Sequence, residues 1–312
     1  MNYVGYINQL MCEKLKQTPD TVCFGQNIST GSCLSGLTRG LPEGDGKLVV
    51  NTTNSECTLT GAGFGLLAEG MNAVFFLKQQ DFLLLGIDHL VHTWNAMRAQ
   101  GFKGSFTIMA IVVDNGYEGP QSCLNNLADF CSISKIPGYS LSNKEDIDAI
   151  IKDQFLEAGV RFIAVSQSLF RSEMGLFEDG GEAVDPANHI RKYGAGKDVT
   201  IVSLNFAFSQ AQELYGNLQA DQIDGSLFNV SSMMPDSWGR IFQHAAQSKR
   251  VVICDDSKSV HKQSAHLASL IKAHVEGCDV LVLDRSYQEE WSFPNADQFV
   301  IEPVVVKKWH RA

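Results

Sequence analysis

No stretch of the 312-residue sequence approaches roughly 18 uninterrupted apolar residues, so no membrane-spanning helix is expected. Positive charge is also short. Lys and Arg number 25 against 35 Asp and Glu, a formal charge of −10, which leaves no global pull toward phosphate backbones or anionic bilayers. Nucleic acid and membrane are therefore poor partners. The eight cysteines never form a C-x-x-C pair and sit mostly in apolar stretches, which fits a reducing compartment. Residues 1–17 lack the basic start and apolar core of a secretory signal, so a soluble cytoplasmic protein is expected, and the three N-x-S/T matches at Asn27, Asn51 and Asn229 carry no weight. There is no fixed-period repeat and no low-complexity tract.

What is present is a chain 44% apolar and 19% charged, long enough for two domains. Ile7, Leu10, Met11 and Leu15 recur at helical spacing and predict an opening amphipathic helix. Short apolar runs at 47–50, 72–77, 105–113 and 161–165 then alternate with longer helical patterns, the signature of crossover units on a parallel sheet. The rhythm stops after Arg171 in a stretch dense in Gly, Glu and Asp, and resumes with runs at 199–204, 251–254 and 280–283 and a helical pattern over 259–274. The expectation is an α/β protein with two parallel-sheet domains, 1–171 and 198–312, joined by a linker at 172–197.

Several motifs invite chemistry and fail on context. Gly61, Gly63 and Gly65 imitate a dinucleotide loop, but Leu66 stands where the spacing needs glycine, and close helix packing explains them better. Gly44, Asp45 and Gly46 with Asn72 imitate an Mg²⁺-diphosphate signature, yet they precede a strand and read as a turn. His89 and His92 have ligand spacing but no third ligand. Asp255, Asp256, Ser257 and His261 lack the G-x-S-x-G elbow of a hydrolase. The stretch 51–56 is more informative. It leaves a strand, offers cap residues and sets Glu56 at the start of a small-residue helix, where the dipole favours an ionised acid. Taken alone, an ordinary helix-cap glutamate fits these residues too.

In order and spacing, 21–25, 40–46, 51–56, 61–70, Asp81-Phe82, Ile87-Asp88-His89, 116–121, 136–138 and 198–203 together resemble the beta subunits of the first component of 2-oxo-acid dehydrogenase complexes, in the transketolase-like thiamine diphosphate superfamily. The resemblance implies that 1–171 is a pyrimidine-binding domain and that the region after the linker is the family's C-terminal domain. It implies that Glu56 hydrogen-bonds the aminopyrimidine ring nitrogen and promotes the imino form that removes the thiazolium proton, and that Phe82 lies against the pyrimidine. Thiamine diphosphate and Mg²⁺ would be shared with an alpha-type subunit carrying the diphosphate-binding domain, in an α₂β₂ heterotetramer with no metal ligand in this chain.

The sequence departs from that family on the acceptor side. Gln121-Ser122-Cys123 replaces Gln-His-Ser, Gly25-Gln26-Asn27 replaces Gly-Glu-Asp, and His89 replaces a glutamine. The leading expectation is an enzyme, active only with its partner, that transfers a two-carbon carbanion to a carbonyl acceptor such as a sugar or nucleotide sugar, with His89, Tyr117, Gln121 and Ser122 on the acceptor side. The alternatives are a pyruvate dehydrogenase-like subunit acylating lipoamide, and a non-catalytic regulatory or scaffolding subunit.

Overall fold

The computed structural model describes residues 1–115, 118–119, 121–173, 180–285 and 299–311. Its first unit is a six-stranded sheet of β1 (Thr21–Gly25), β2 (Lys47–Asn51), β3 (Asn72–Leu77), β4 (Ser105–Val112), β5 (Gly138–Leu141) and β6 (Gly159–Ser166). The order is β2-β1-β3-β4-β6-β5 and every pair is parallel. All eight residues of β4 are buried, as a central strand covered on both faces requires, and this is why it reads as an unbroken apolar run. Edge strand β2 instead leaves Leu48 and Val50 exposed.

Five helices cover this sheet: α1 (Tyr3–Gln17), α2 (Glu56–Ala68), the short α3 (Trp94–Met97), α4 (Leu127–Ser134) and α5 (Lys144–Asp153). The opening helix is present as expected. Asn2 caps it by accepting from the Gly5 N–H, Lys14 and Lys16 occupy its last turn, and Tyr3, Ile7, Met11 and Leu15 face the core. One apolar cluster joins α1 and α5 to one face of the sheet, and a second joins α2 and α4 to the other.

The second unit is also six-stranded, with β7 (Glu182–Asp185), β8 (Ile190–Tyr193), β9 (Val199–Leu204), β10 (Gly225–Val230), β11 (Arg250–Asp255) and β12 (Asp279–Asp284) in the order β12-β11-β9-β10-β8-β7. Helices α6 (Phe208–Ala220), α7 (Gly239–Ser248), α8 (Gln263–His274) and α9 (Pro303–Arg311) accompany it. The stretch 172–197, expected as a linker, carries β7 and β8, which pair antiparallel with each other while β8 pairs antiparallel with β10. Each is four residues long, too short for an alternating pattern to stand out beside the neighbouring acidic and glycine-rich run.

The apolar run 82–90 reads in sequence as one helix and 259–274 as another, and both come out differently. Over 82–90 the chain forms a 3₁₀ segment (Gln80–Gly86) and a π turn (His89–Thr93) leading into α3, rather than one regular helix. Helix α8 begins at Gln263 and not Ser259, because Asp255 at the end of β11 accepts from the N–H groups of Ser257 and Ser264 and fixes the start from outside the helix. No helix among the described residues is long and apolar enough to cross a membrane.

The two units are stitched together by backbone and side chains. Edge strand β5 receives residues 231–233 as an antiparallel neighbour, through Ser140 N–H to Ser231 O (2.9 Å) and Met233 N–H to Gly138 O (2.8 Å). Beside this seam the Asp146 carboxylate accepts from Asn143 Nδ2 (2.8 Å), Asn229 Nδ2 (2.7 Å) and Ser231 Oγ (3.1 Å), and meets Arg191 Nε at 3.3 Å.

Candidate functional site

The site forms at the carboxyl ends of the first unit's strands, where parallel α/β sheets bind ligands. At the end of β2 the Thr52 N–H donates to Gly25 O at the end of β1 (3.0 Å), and the Asn51 amide bonds Ser29, so the two strand ends are tied together. Four residues on, α2 starts at Glu56. Ser55 holds the cap position, but its hydroxyl donates to Thr58 Oγ1 (2.9 Å) and leaves the first-turn N–H groups without a side-chain acceptor. That uncapped positive end lies beside Glu56. Glu56 is 8% exposed, and its carboxylate takes no hydrogen bond from any described residue. Its carboxylate oxygens are not among the fully enclosed unpartnered polar atoms, so the acid keeps an edge open to groups outside the chain.

The glycines of α2 explain how the acid is held. A Cβ on Gly63 would stand 2.2 Å from the Phe106 ring, and one on Gly61 would stand 2.8 Å from His89 Nε2. From the 3₁₀ segment, Gly86 similarly meets Thr60 Oγ1 at 2.4 Å, while the Thr60 hydroxyl donates to Glu56 O (2.7 Å). These glycines set contact distances, whereas Gly65 has open space around it. Gly63→Ala, against the fully buried Phe106 ring, should therefore destabilise the chain by about 1–3 kcal/mol, and Gly65→Ala should stabilise it by roughly 0.5–1 kcal/mol. Thermal melts of the two variants check this, and equal shifts would remove the packing account.

The expected site residues are distributed as follows. His89 is half-buried, its Nδ1 paired with Thr93 Oγ1 (2.9 Å) and its ring edge on Gly61 of α2. His92 is exposed and pairs with Asp88 (2.8 Å), so the two histidines serve different partners. Phe82 is half-buried at the start of the 3₁₀ segment, packed on the α2-side core. Ser122 is buried and Gln121 exposed. Tyr117 lies outside the described residues. Gly44 and Lys47 exchange backbone hydrogen bonds across Asp45 and Gly46, which makes that stretch a turn, and no cluster of three or more metal-ligating side chains occurs among the described residues.

Sequence spacing missed the pair of buried acids that grips the 121–126 loop, because their partners lie 42 to 131 positions away. From the first unit, Asp81 accepts from the N–H groups of Cys123 (3.0 Å) and Leu124 (3.2 Å), which joins Phe82's neighbour directly to the loop. Burial pushes the Asp81 carboxyl up, and these N–H donors pull it back. From the second unit, Asp256 Oδ2 accepts from Asn125 Nδ2 (3.0 Å), while Oδ1 accepts from Asn205 Nδ2 (2.9 Å) and the Phe206 N–H (2.8 Å). In the sequence Asp256 stands out only as part of a hydrolase-like run. In the structure His261 of that run is exposed, and Asp255 caps α8. The next residue along the loop, Asn126, lines a groove of 790 Å³ between α4, Trp238 and the start of α8.

Burial pushes the Asp256 carboxyl up to about 6, against the pull of the Arg285 guanidinium and the Phe206 N–H and with like charge from Asp255 and Asp114. A folded-state pKa above the ordinary 3.8 means that the folded chain holds this proton more tightly. Its stabilising contribution is complete below about pH 4 and is lost as the pH rises through about 6. Between those limits the unfolding free energy of wild type is expected to fall by roughly 2–3 kcal/mol relative to Asp256→Asn. A gap between the two proteins that stays flat in urea titrations would show that the carboxyl is not raised.

No protein-family model matches the chain. It is similar to a mitochondrial pyruvate dehydrogenase E1 component subunit beta from Chaetomium thermophilum, at 21% identity over 92% of this chain and 80% of the relative. It is also similar to the beta subunit of an acetoin:2,6-dichlorophenolindophenol oxidoreductase from Cupriavidus necator, at 21% identity over 80% and 78% of the two chains. Among solved structures, a split-gene transketolase described as an inactive beta4 tetramer superposes with a TM-score of 0.68 at 15% identity, covering 94% of each chain. The chain thus shares its two-domain α/β fold with that structure.

Proposed function

We propose that this chain is the beta-type subunit of a two-component, thiamine diphosphate-dependent enzyme that transfers a two-carbon unit to a carbonyl acceptor such as a sugar or nucleotide sugar. The observation that carries the reading is Glu56, an acid only 8% exposed at an uncapped helix start, whose carboxylate has no hydrogen-bond donor among the described residues. Such an acid suits a ring nitrogen of the aminopyrimidine, to which it would hold a proton in a charge-assisted hydrogen bond. When bound, thiamine diphosphate supplies the electron sink for carbanion chemistry. Phe82 would lie against the pyrimidine, where ring stacking adds on the order of 1 kcal/mol. Residues 1–171 would form the pyrimidine-binding domain.

The diphosphate and Mg²⁺ fall to an alpha-type partner in this reading, since Gly44–Gly46 is a turn at the wrong end of a strand. The pattern proposed is α₂β₂, active only when assembled. The inactive beta-only assembly of the structural neighbour is consistent with that dependence. On the acceptor side, His89, Ser122 and Cys123 stand where lipoamide-acylating relatives would carry other side chains while Gln121 is kept, which favours a small carbonyl acceptor over a lipoyl domain.

Calorimetric titration of thiamine diphosphate with Mg²⁺ into the chain alone, and into the chain co-purified with its alpha-type partner, tests the reading. Tight binding by the pair only is expected. No binding to a stable pair would sink the catalytic reading and leave a regulatory or scaffolding subunit. The similarity to pyruvate dehydrogenase subunits keeps a second reading in view, and acylation of a lipoyl domain by the loaded pair would select it.

A further inference from the structure

The 121–126 loop is held at both ends of its buried half, and the two grips come from different units. Asp81 takes the N–H groups of Cys123 and Leu124. From across the seam, Asp256 takes the Asn125 amide, the Lys258 N–H donates to Asn125 O (2.7 Å), and Lys258 Nζ donates to Cys123 O (2.9 Å). Asn125 Oδ1 in turn accepts from Asn205 Nδ2 (2.8 Å), so both ends of the Asn125 amide are used by the second unit. All of these groups are buried or half-buried, and a loop so fully bonded stands in one place.

We propose that Asp256 is a positioning residue: together with Asn125 it latches the 121–126 loop from the second unit and thereby sets where Gln121 and Ser122 stand at the site. The latch rests on the proposed function only in giving that loop an acceptor-handling task, and its geometry is independent of it. It also gives the second unit a defined part in the site, through one residue that touches neither the expected cofactor position nor Glu56.

The polarity of the network provides the test. In Asp256→Asn, Oδ1 can still accept from Asn205 and Phe206, but an NH₂ group then faces Asn125 Nδ2, donor against donor. The reverse pair, Asn125→Asp with Asp256→Asn, restores a carboxylate–amide bond across the seam at unchanged charge, but loses the bond that Asn125 Nδ2 also gives to Asp256 O (3.2 Å). Cys123, buried within the loop, reports the result, and buried Cys23 and Cys131 serve as controls elsewhere.

Iodoacetamide labelling of the full chain at neutral pH, resolved by peptide mass spectrometry, should show Cys123 reacting about tenfold faster in Asp256→Asn, with Cys23 and Cys131 unchanged. The double variant should return part of the protection, since the side-chain pair is rebuilt and the bond to Asp256 O is not. An unchanged Cys123 rate in Asp256→Asn would overturn the latch, as would equal acceleration of all three thiols or a double variant no better than the single one. Failure of the assembled pair to bind thiamine diphosphate would remove the function proposed above and leave these labelling rates as they are, so the two failures are distinguishable.

Discussion

Glu56→Gln is expected to lower turnover of the assembled enzyme by about 10³-fold, within the range that a positioned acid–base group contributes. The substitution keeps the shape of the side chain and removes the charge. No described residue bonds the carboxylate, so the folded chain loses only the charge's interaction with the helix start, on the order of 0.3–1 kcal/mol. The thermal midpoint of the variant should accordingly lie close to that of wild type, and its affinity for the alpha-type partner should be retained. Steady-state rates and melts on the same preparations separate the outcomes. A variant that keeps a tenth or more of the activity would assign Glu56 to helix capping. One that loses activity only because it melts early would assign it to the fold.

The second large effect belongs to Asp146. Its carboxylate accepts four hydrogen bonds, three of them from the other unit, one of these from the partly buried guanidinium of Arg191. Asp146→Ala leaves those donors and that cation without their acceptor, a change of the kind that costs about 3–5 kcal/mol. The urea midpoint of unfolding should fall accordingly. Because the lost bonds cross the seam, the transition should also broaden or divide as the second unit loosens from the first. A single sharp transition shifted by less than about 1 kcal/mol would show that the network contributes little. Asp146→Asn, which keeps one acceptor oxygen, is expected to fall between the two proteins.

How much of this could be read from the chain varied with the physics. Strands β3 and β9 lie at the boundaries that the apolar runs marked, and β4, β6 and β11 within a few residues of them, because strands covered by helices on both faces must be apolar throughout; the less covered edge strands β2 and β12 also lie within a few residues of their runs. The hairpin β7–β8 was invisible, since four-residue strands with Arg191 and Lys192 turned partly to solvent carry no period. The segment around Phe82 reads as a helix from its apolar content. Nothing in a one-dimensional pattern says that the close approach of Gly86 to Thr60 accompanies a 3₁₀ segment followed by a π turn.

Within the candidate site the same division holds. Glu56 was legible because a strand, cap residues and an acid follow in immediate succession. His89 was noticed, yet its role as the ring that rests on Gly61 emerged only when two segments 28 positions apart were brought together. The paired grips of Asp81 and Asp256 on the 121–126 loop had no local signal at all. Buried polar networks draw their members from wherever the fold delivers them, and a lone Asp or Asn in a sequence reads as surface.

The antiparallel addition of residues 231–233 to β5 bears on how the chain avoids clumping. In the order β2-β1-β3-β4-β6-β5, strand β5 is an outer strand, and its row of N–H and C=O groups would otherwise be a template for other chains. The second unit closes that row with its own backbone. Truncation after residue 171 would remove the guard and leave a sticky sheet margin, so the first unit made alone should precipitate or pair edge to edge even if every helix on it forms. A chain made of two sheets is, at this margin, one.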